Sequence, residues 1–201
     1  MVQIGVPMAA GKPYGNRDYL PVWEAAAKHS LPVMIHADGG SSIDFWPSPA
    51  GYYQLFVEYA ALYPVNFSYH LASFIAEGVF DRFDNFKVIF GDGAHDLLAP
   101  IIWRLDKDWR PTRSQTPWNK HLPSQYLGNH VRFISSGLDG PLESQDWPTW
   151  NDISEPGKTL MFGSRYPTWE YQGASEAFTD VAPELKQKLL HQNASQFYAL
   201  T

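Results

Sequence analysis

No cysteine occurs among the 201 residues of this chain. Its absence removes disulfides, zinc–cysteine centres and thiol nucleophiles together. Nor is there a run of about 18 apolar residues, so no membrane span is expected. The opening stretch, Met1-Val2-Gln3-Ile4-Gly5-Val6-Pro7, lacks the basic start and long apolar segment of a secretion signal. Positive charge is scarce: 15 Lys and Arg face 21 Asp and Glu, for a net charge of −6. Phosphate binding needs a surplus of the opposite sign, which argues against nucleic acid as a partner. A Gly-rich phosphate loop, a Gly-x-Ser-x-Gly elbow and a His-Glu-x-x-His helix are all missing. A cytoplasmic protein with no membrane or nucleic-acid partner is the expectation. The pattern Asn-x-Ser at Asn66 and Asn193 is discounted as a glycosylation signal for the same reason.

What is present is ordinary in bulk. Hydrophobic residues make up 44% and charged residues 18%, as in a soluble globular domain and unlike a disordered one. The length suits one domain, residues 1–201, with a real core. Aromatic residues reach 15%, with 8 Trp, and imply a large buried aromatic surface or a ring-lined pocket.

Short apolar runs at residues 3–7, 31–37, 86–91, 131–135 and 159–163 read as strands. Helical spacing appears after Asn16 or Asp18 as cap, with Leu20, Trp23, Ala26 and Ala27 on one face. It recurs over residues 52–62, where Leu55, Phe56, Tyr59 and Leu62 form the apolar face, and again over 69–83, 97–109 and 183–200. Residues 38–51 and 111–124 read as loops. Strands alternating with helices predict an α/β fold with a parallel sheet.

In such a fold, ligands gather where parallel strands end. His36 closes one apolar run and Asp92 follows another. His36 is either a site residue or a core histidine; Asp92 is either an acid/base or metal-binding carboxylate or a helix cap. Two strand ends in succession carrying such groups favour the functional reading. His70 falls near a predicted helix start, where a histidine is more often structural. His95 and Asp96 follow Asp92 closely and are expected near the same mouth. Arg165 follows the last apolar run, where its fork suits a substrate carboxylate; its fixed charge excludes it as a metal ligand. His29, His121, His130 and His191 have no chemical context and read as surface residues, as do Lys107 and Arg110.

The combination of blocks resembles the amidohydrolase-related family of metal-dependent hydrolases and decarboxylases, which includes aminocarboxymuconate-semialdehyde and γ-resorcylate decarboxylases. The matching residues are Pro32-Val33-Met34-Ile35-His36, the segment from His70 through Phe80-Asp81-Arg82-Phe83, residues 86–93, and Ile102-Trp103-Arg104-Leu105-Asp106-Lys107-Asp108-Trp109. Leu160-Met161-Phe162-Gly163-Ser164-Arg165-Tyr166-Pro167-Thr168-Trp169 and Asn193-Ala194 with Phe197-Tyr198 complete them. The resemblance implies a (β/α) barrel of which about the last five β/α units are present, since a full barrel takes about 250 residues. It implies a divalent metal, zinc or manganese, bound through His36. Asp92 takes the place of the family's catalytic His or Glu, with His70 as a further catalytic candidate. Arg165, His95 and Trp169 are then the candidates for binding a small carboxylate.

The departures are as specific as the matches. The family's first-strand His-x-His or Glu-x-His pair is absent, and its last-strand aspartate falls on Arg165. Three readings follow: an enzyme active only when a partner chain completes the metal site, a non-catalytic subunit that stabilises or regulates an intact homologue, or a truncated gene product. Association with a second copy or a full-length homologue is expected, because an open barrel exposes two sheet edges and an apolar inner face. The segment 38–51 is one candidate to fold over that face, and the surroundings of Trp103, Trp109 and Trp118 are the candidate dimer surface.

Overall fold

The apolar runs form five short parallel strands in a single sheet of order β1-β2-β3-β4-β5. They are β1 (Val2–Ile4), β2 (Val33–Ile35), β3 (Val88–Phe90), β4 (Val131–Ile134) and β5 (Leu160–Met161). The computed structural model describes residues 1–4, 11–36, 53–91, 93–136, 144–167 and 171–200. Strand order equal to chain order, with a crossover at every step, is barrel topology, and five units make it an incomplete TIM-type barrel.

Side chains alternate across the sheet. Val33, Ile35, Val88, Phe90, Val131, Phe133 and Leu160 face the helices and join Trp23, Phe67, Phe74 and Phe80 in the main core. The helices on the chain between and after these strands are α1 (Leu20–Lys28), α2 (Phe56–Leu62), α3 (Val65–Ala76), α4 (Val79–Arg82), α5 (Leu98–Trp109), α6 (Pro123–His130), α7 (Trp147–Ser154) and α8 (Pro156–Thr159), of which α2 supplies no residue to the core. Trp23 sits at the centre, its ring against Phe74 and Phe86 and its indole N–H donating to the Tyr14 carbonyl at 2.8 Å. The high aromatic content is spent here, in ring-on-ring packing of the helix layer.

Ile89, Met161, Met34 and Ile134 point to the opposite, inner face. The expectation that this face lies bare is corrected: Ile89 is 0% and Met161 2% exposed. They are covered from within the chain by the terminal helix α10 (Asn193–Tyr198), which follows α9 (Pro183–Gln187) through a π-helical turn at Lys188–Gln192. Phe197 packs on Ile89 and Met161. Two cations lie over its ring, Lys87 Nζ at 4.8 Å and the Arg132 guanidinium at 4.7 Å from the centroid. Lys87 also donates to the Phe197 carbonyl at 2.6 Å, serving the negative end of the helix. Asn193 is buried and donates to the Leu160 carbonyl at 2.7 Å. The candidate cover at 38–51 lies outside the described residues.

Several elements differ from their sequence pattern. The helix expected over 69–83 is two helices, α3 and α4, separated by Gly78 in the left-handed region at φ 69°. A Cβ there would stand 2.2 Å from Trp118 Cδ1, so the break also makes room for an indole. Residues 123–130, part of them read as loop, form α6. His130, expected at the surface, is buried: it stacks on Phe80 and its Nδ1 meets the Phe86 carbonyl at 2.8 Å. Helix α2 buries none of its residues, contrary to the apolar face predicted for it. Among the described residues, no helix is long and apolar enough to cross a membrane.

Candidate active-site mouth

The C-terminal strand ends lie side by side because the strands are parallel and in register. His36 leaves β2 there, and its N–H donates to the Ile4 carbonyl of β1 at 2.9 Å. The next strand end accommodates its ring through a glycine: a Cβ on Gly91 would stand 2.6 Å from His36 Cδ2. Asp92 follows Gly91 directly but lies outside the described residues, as does Trp169.

At the end of β4, Ser135 donates its N–H to the Met161 carbonyl at 2.8 Å, and its Oγ accepts the Gly163 N–H at 3.1 Å. Gly163 is held to a glycine, since a Cβ would lie 2.2 Å from Ile134 Cγ2. Ser136 is buried beside it. The chain after β5 then turns through Ser164 to Arg165, which is half-buried and holds φ 55° in the left-handed region. That conformation is uncommon for a side-chain-bearing residue and marks a position fixed by its surroundings. The tyrosine–proline bond that follows, Tyr166-Pro167, is cis. The mouth therefore gathers His36, Gly91, Ser135, Ser136, Ser164 and Arg165. Ser135 and Ser136 were not singled out from sequence, although Ser135 follows Ile134 directly, in the same relation to β4 as His36 to β2.

Two other sequence candidates sit elsewhere. His70 is in the middle of α3 rather than at a helix start. It is 2% exposed, its ring lies 4.5 Å from that of Tyr14, and its Nδ1 accepts the Tyr14 N–H at 3.1 Å. Accepting that bond places any neutral-ring proton on Nε2. His95 was expected at the mouth and is instead enclosed on the helix side of the sheet, with no exposed surface. Its neighbours are Phe133 and Trp150, and its Nε2 pairs with Thr159 Oγ1 at 3.0 Å. Burial lowers its pKa to about 4, so the ring is neutral near pH 7 and offers no positive charge to a carboxylate.

The metal that the fold suggests does not fit the described donor set. A catalytic zinc centre takes three protein ligands and an open position. Among the described residues no three His, Asp or Glu side chains come together in a way that holds a metal ion. His36 is the one nitrogen ligand at the mouth, the serines are weak ligands for such ions, and Arg165 is a fixed cation. At about 4 Å and an effective dielectric near 20, a unit charge opposes each charge of a metal ion by about 4 kcal/mol.

Comparison with known proteins agrees with the topology. The amidohydrolase family model matches residues 1–200. No curated protein matches the chain significantly. Among solved structures, an amidohydrolase from Mycobacterium avium subsp. paratuberculosis superposes with a TM-score of 0.70 at 21% identity, covering 94% of this chain and 47% of its own. A dihydroxybenzoic acid decarboxylase from a Polaromonas species, with bound manganese and an inhibitor, gives 0.68 at 19% identity, covering 98% and 60%. The 5-carboxyvanillate decarboxylase of Sphingomonas paucimobilis gives 0.61 at 18% identity, covering 99% and 58%. At these identities the likeness is one of fold, and this chain spans roughly half to two thirds of each neighbour's length. With the family model matching 200 of its residues, this chain belongs to the amidohydrolase family.

Proposed function

We propose that this chain is an amidohydrolase-family subunit that carries no working metal centre by itself and acts only together with a second chain. The observation that supports this most directly is the residue at the last strand end. A cation, Arg165, stands where the family resemblance expects a carboxylate ligand, and among the described residues no cluster of His, Asp or Glu that could hold a metal ion accompanies His36. In the catalytic form of the proposal, the partner is a full-length homologue or a second copy that pairs with the free edges of β1 and β5. Each of these strands has a single neighbour in the described sheet. The partner supplies the missing ligands, and His36 contributes one.

The substrate in this reading is a small carboxylated ring compound, as the names of the decarboxylase neighbours indicate for those proteins. Arg165 would clamp the carboxylate through its fork, Trp169 would provide a ring wall, and Asp92 would hold or deliver a proton at the reacting carbon. His70 and His95 act behind these residues, in the core. A bound zinc or manganese would supply polarisation of substrate oxygens.

The second reading, a non-catalytic subunit that stabilises or regulates an intact homologue, is favoured by the same arginine. The test is the release of carbon dioxide from dihydroxybenzoate and 5-carboxyvanillate by the purified chain, alone and mixed with a full-length homologue, in manganese and in zinc. Turnover only in the mixture supports the catalytic form, and an altered rate or stability of the homologue without new ligands supports the regulatory form. Turnover by the isolated chain under conditions where it is monomeric overturns both.

A further inference from the structure

The outer helix layer opens in a pocket of about 230 Å³, where the helices that connect β3 to β4 meet those that connect β4 to β5. Two of its lining residues, Gly128 and Thr159, come just before β4 and β5. The pocket therefore lies toward the N-terminal strand ends, away from the mouth. Leu98, Ile102 and Leu127 give it an apolar wall, of which Leu98 and Ile102 are buried. Trp103 also lines it and is 58% exposed. Of the three indoles expected at a surface contact, two are engaged within the chain. Trp118 donates to the Ala76 carbonyl and carries Arg17 over its ring, and Trp109 carries Arg113. The exposed face of Trp103 is left to the pocket.

Polar groups line the remainder. Glu155 and Lys158 pair with each other at 2.6 Å. Asp106 is the unbalanced charge: one carboxylate oxygen accepts the Ser124 N–H at 2.9 Å, and no cation pairs with it among the described residues. It stands three residues after Trp103 on α5, a spacing that puts both on one helix face. Thr159 is 3% exposed, and its Oγ1 meets His95 Nε2 at 3.0 Å. His95 Nδ1 is buried without a partner. A buried N–H is tolerated unpaired less readily than a buried lone pair, so the favoured tautomer has Nε2 donating to Thr159. The threonine hydroxyl proton is then available to an acceptor in the pocket. Gly128 is in the interior of α6, where glycine is less stable than alanine. Its φ is not positive, and an added Cβ would meet nothing within 4 Å. Neither backbone nor packing calls for glycine there, whereas room for a ligand does.

From an apolar pocket that holds one unbalanced carboxylate and one buried hydroxyl donor on separate helices, we propose that this site binds a small ring-bearing amine with an oxygen acceptor. The ammonium pairs with the second oxygen of Asp106 beside the Trp103 indole. The ring lies on Ile102 and Leu127, and the acceptor takes the Thr159 proton. A cation is favoured over an anion because Asp106 and Glu155 outnumber Lys158 in the lining. The volume falls below the roughly 300–1,000 Å³ of sites for drug-sized ligands, which restricts the occupant to a single ring. The site shares no residue with the mouth, and it stands whether or not the chain needs a metal or a partner.

The experiment is calorimetric titration of the full chain with tyramine, phenethylamine and 3-(4-hydroxyphenyl)propionate. Tyramine is expected to bind with a dissociation constant of about 1 mM or tighter, the range open to a ligand of this size. Phenethylamine, which lacks the hydroxyl, is expected to bind several-fold more weakly. The propionate, with the opposite charge, is expected not to bind. Asp106→Asn keeps an oxygen for the Ser124 N–H and removes the charge, and should weaken tyramine by roughly tenfold or more. Gly128→Leu is expected to fill the pocket and abolish binding. It should melt no lower than the wild type, since its Cβ meets nothing and leucine suits a helix. Thr159→Val should erase the difference between tyramine and phenethylamine. No heat from tyramine at about ten times that concentration overturns the proposal. Equal binding of the propionate overturns it as well. So does tyramine binding that Asp106→Asn and Gly128→Leu both leave unchanged, which would place the ligand elsewhere.

Discussion

Replacing Phe197 with alanine tests whether the terminal helix closes the open side of this half-barrel. The ring is 2% exposed and packed on Ile89 and Met161. Truncating a buried phenylalanine costs about 3–5 kcal/mol, from lost transfer energy and the cavity that remains. This site adds a second contribution, because Lys87 and Arg132 both lie within 5 Å of the ring centroid. Each cation–ring contact contributes about 0.5–1 kcal/mol, more where desolvated. The Arg132 guanidinium is buried enough that its pKa falls to about 10, so it belongs to the desolvated kind. Phe197→Leu separates the two contributions: it keeps most of the apolar volume and loses the ring, for an expected loss of about 1–2 kcal/mol. Against a typical total of about 5–15 kcal/mol, the alanine variant consumes a large fraction of the stability. The assay is equilibrium unfolding in urea, with binding of an apolar dye measured under native conditions. The expected result is a large drop in midpoint together with new dye binding for Phe197→Ala, and a small drop without dye binding for Phe197→Leu. A loss below about 1 kcal/mol for the alanine variant, with no dye bound, would refute the assignment of α10 as the cover.

Other outcomes follow from particular residues. His95 is held neutral by burial, its pKa lowered from 6.5 to about 4. The unfolded chain therefore binds this proton first as pH falls, and stability should decline from about pH 6.5 down to about pH 4, by up to about 3 kcal/mol for this group. His130, also lowered by burial, acts in the same direction. Urea midpoints across that range should show the decline, and His95→Gln should flatten it. Gly91→Ala should displace the His36 ring, since the new methyl would stand 2.6 Å from Cδ2. A cost of about 1–3 kcal/mol and a shift of the His36 ring resonances are expected, and an unshifted His36 spectrum would contradict this packing. Gly78→Ala combines a left-handed φ of 69° with a clash against Trp118, and a loss of about 1–3 kcal/mol should appear as a lower melting temperature with altered tryptophan fluorescence.

The middle of the sheet was legible because β3 is buried on both faces. Val88, Ile89 and Phe90 are all fully buried, and such strands are continuous apolar runs that stand out between polar loops. The positions of His36 and Arg165 at strand ends followed from the same runs. The failures have equally local causes. Helix α6 has the sequence Pro-Ser-Gln-Tyr-Leu-Gly-Asn-His, too polar to show a stripe, and it is fixed instead by tertiary contacts of Tyr126 and His130 and by Gln125 accepting the Leu122 N–H at 2.9 Å. Proline at its first position and the glutamine two residues later were the available signals. The α2 stripe was real but faces outward, and periodicity says nothing about which surface an apolar face meets. His95 was misplaced because chain proximity to Asp92 was read as spatial proximity to the mouth. The chain turns through Gly93 and Ala94, both at positive φ, and carries His95 to the helix side.

The central claim is that this chain alone does not complete a metal centre, and metal content of the purified chain tests it most directly. After dialysis against manganese and then zinc, elemental analysis is expected to find far less than one ion per chain. Arg165→Asp, which exchanges a cation for a carboxylate at the last strand end, is expected to raise the affinity by tenfold or more in parallel titrations. One zinc or manganese held stoichiometrically by the unpartnered wild-type chain would contradict the account.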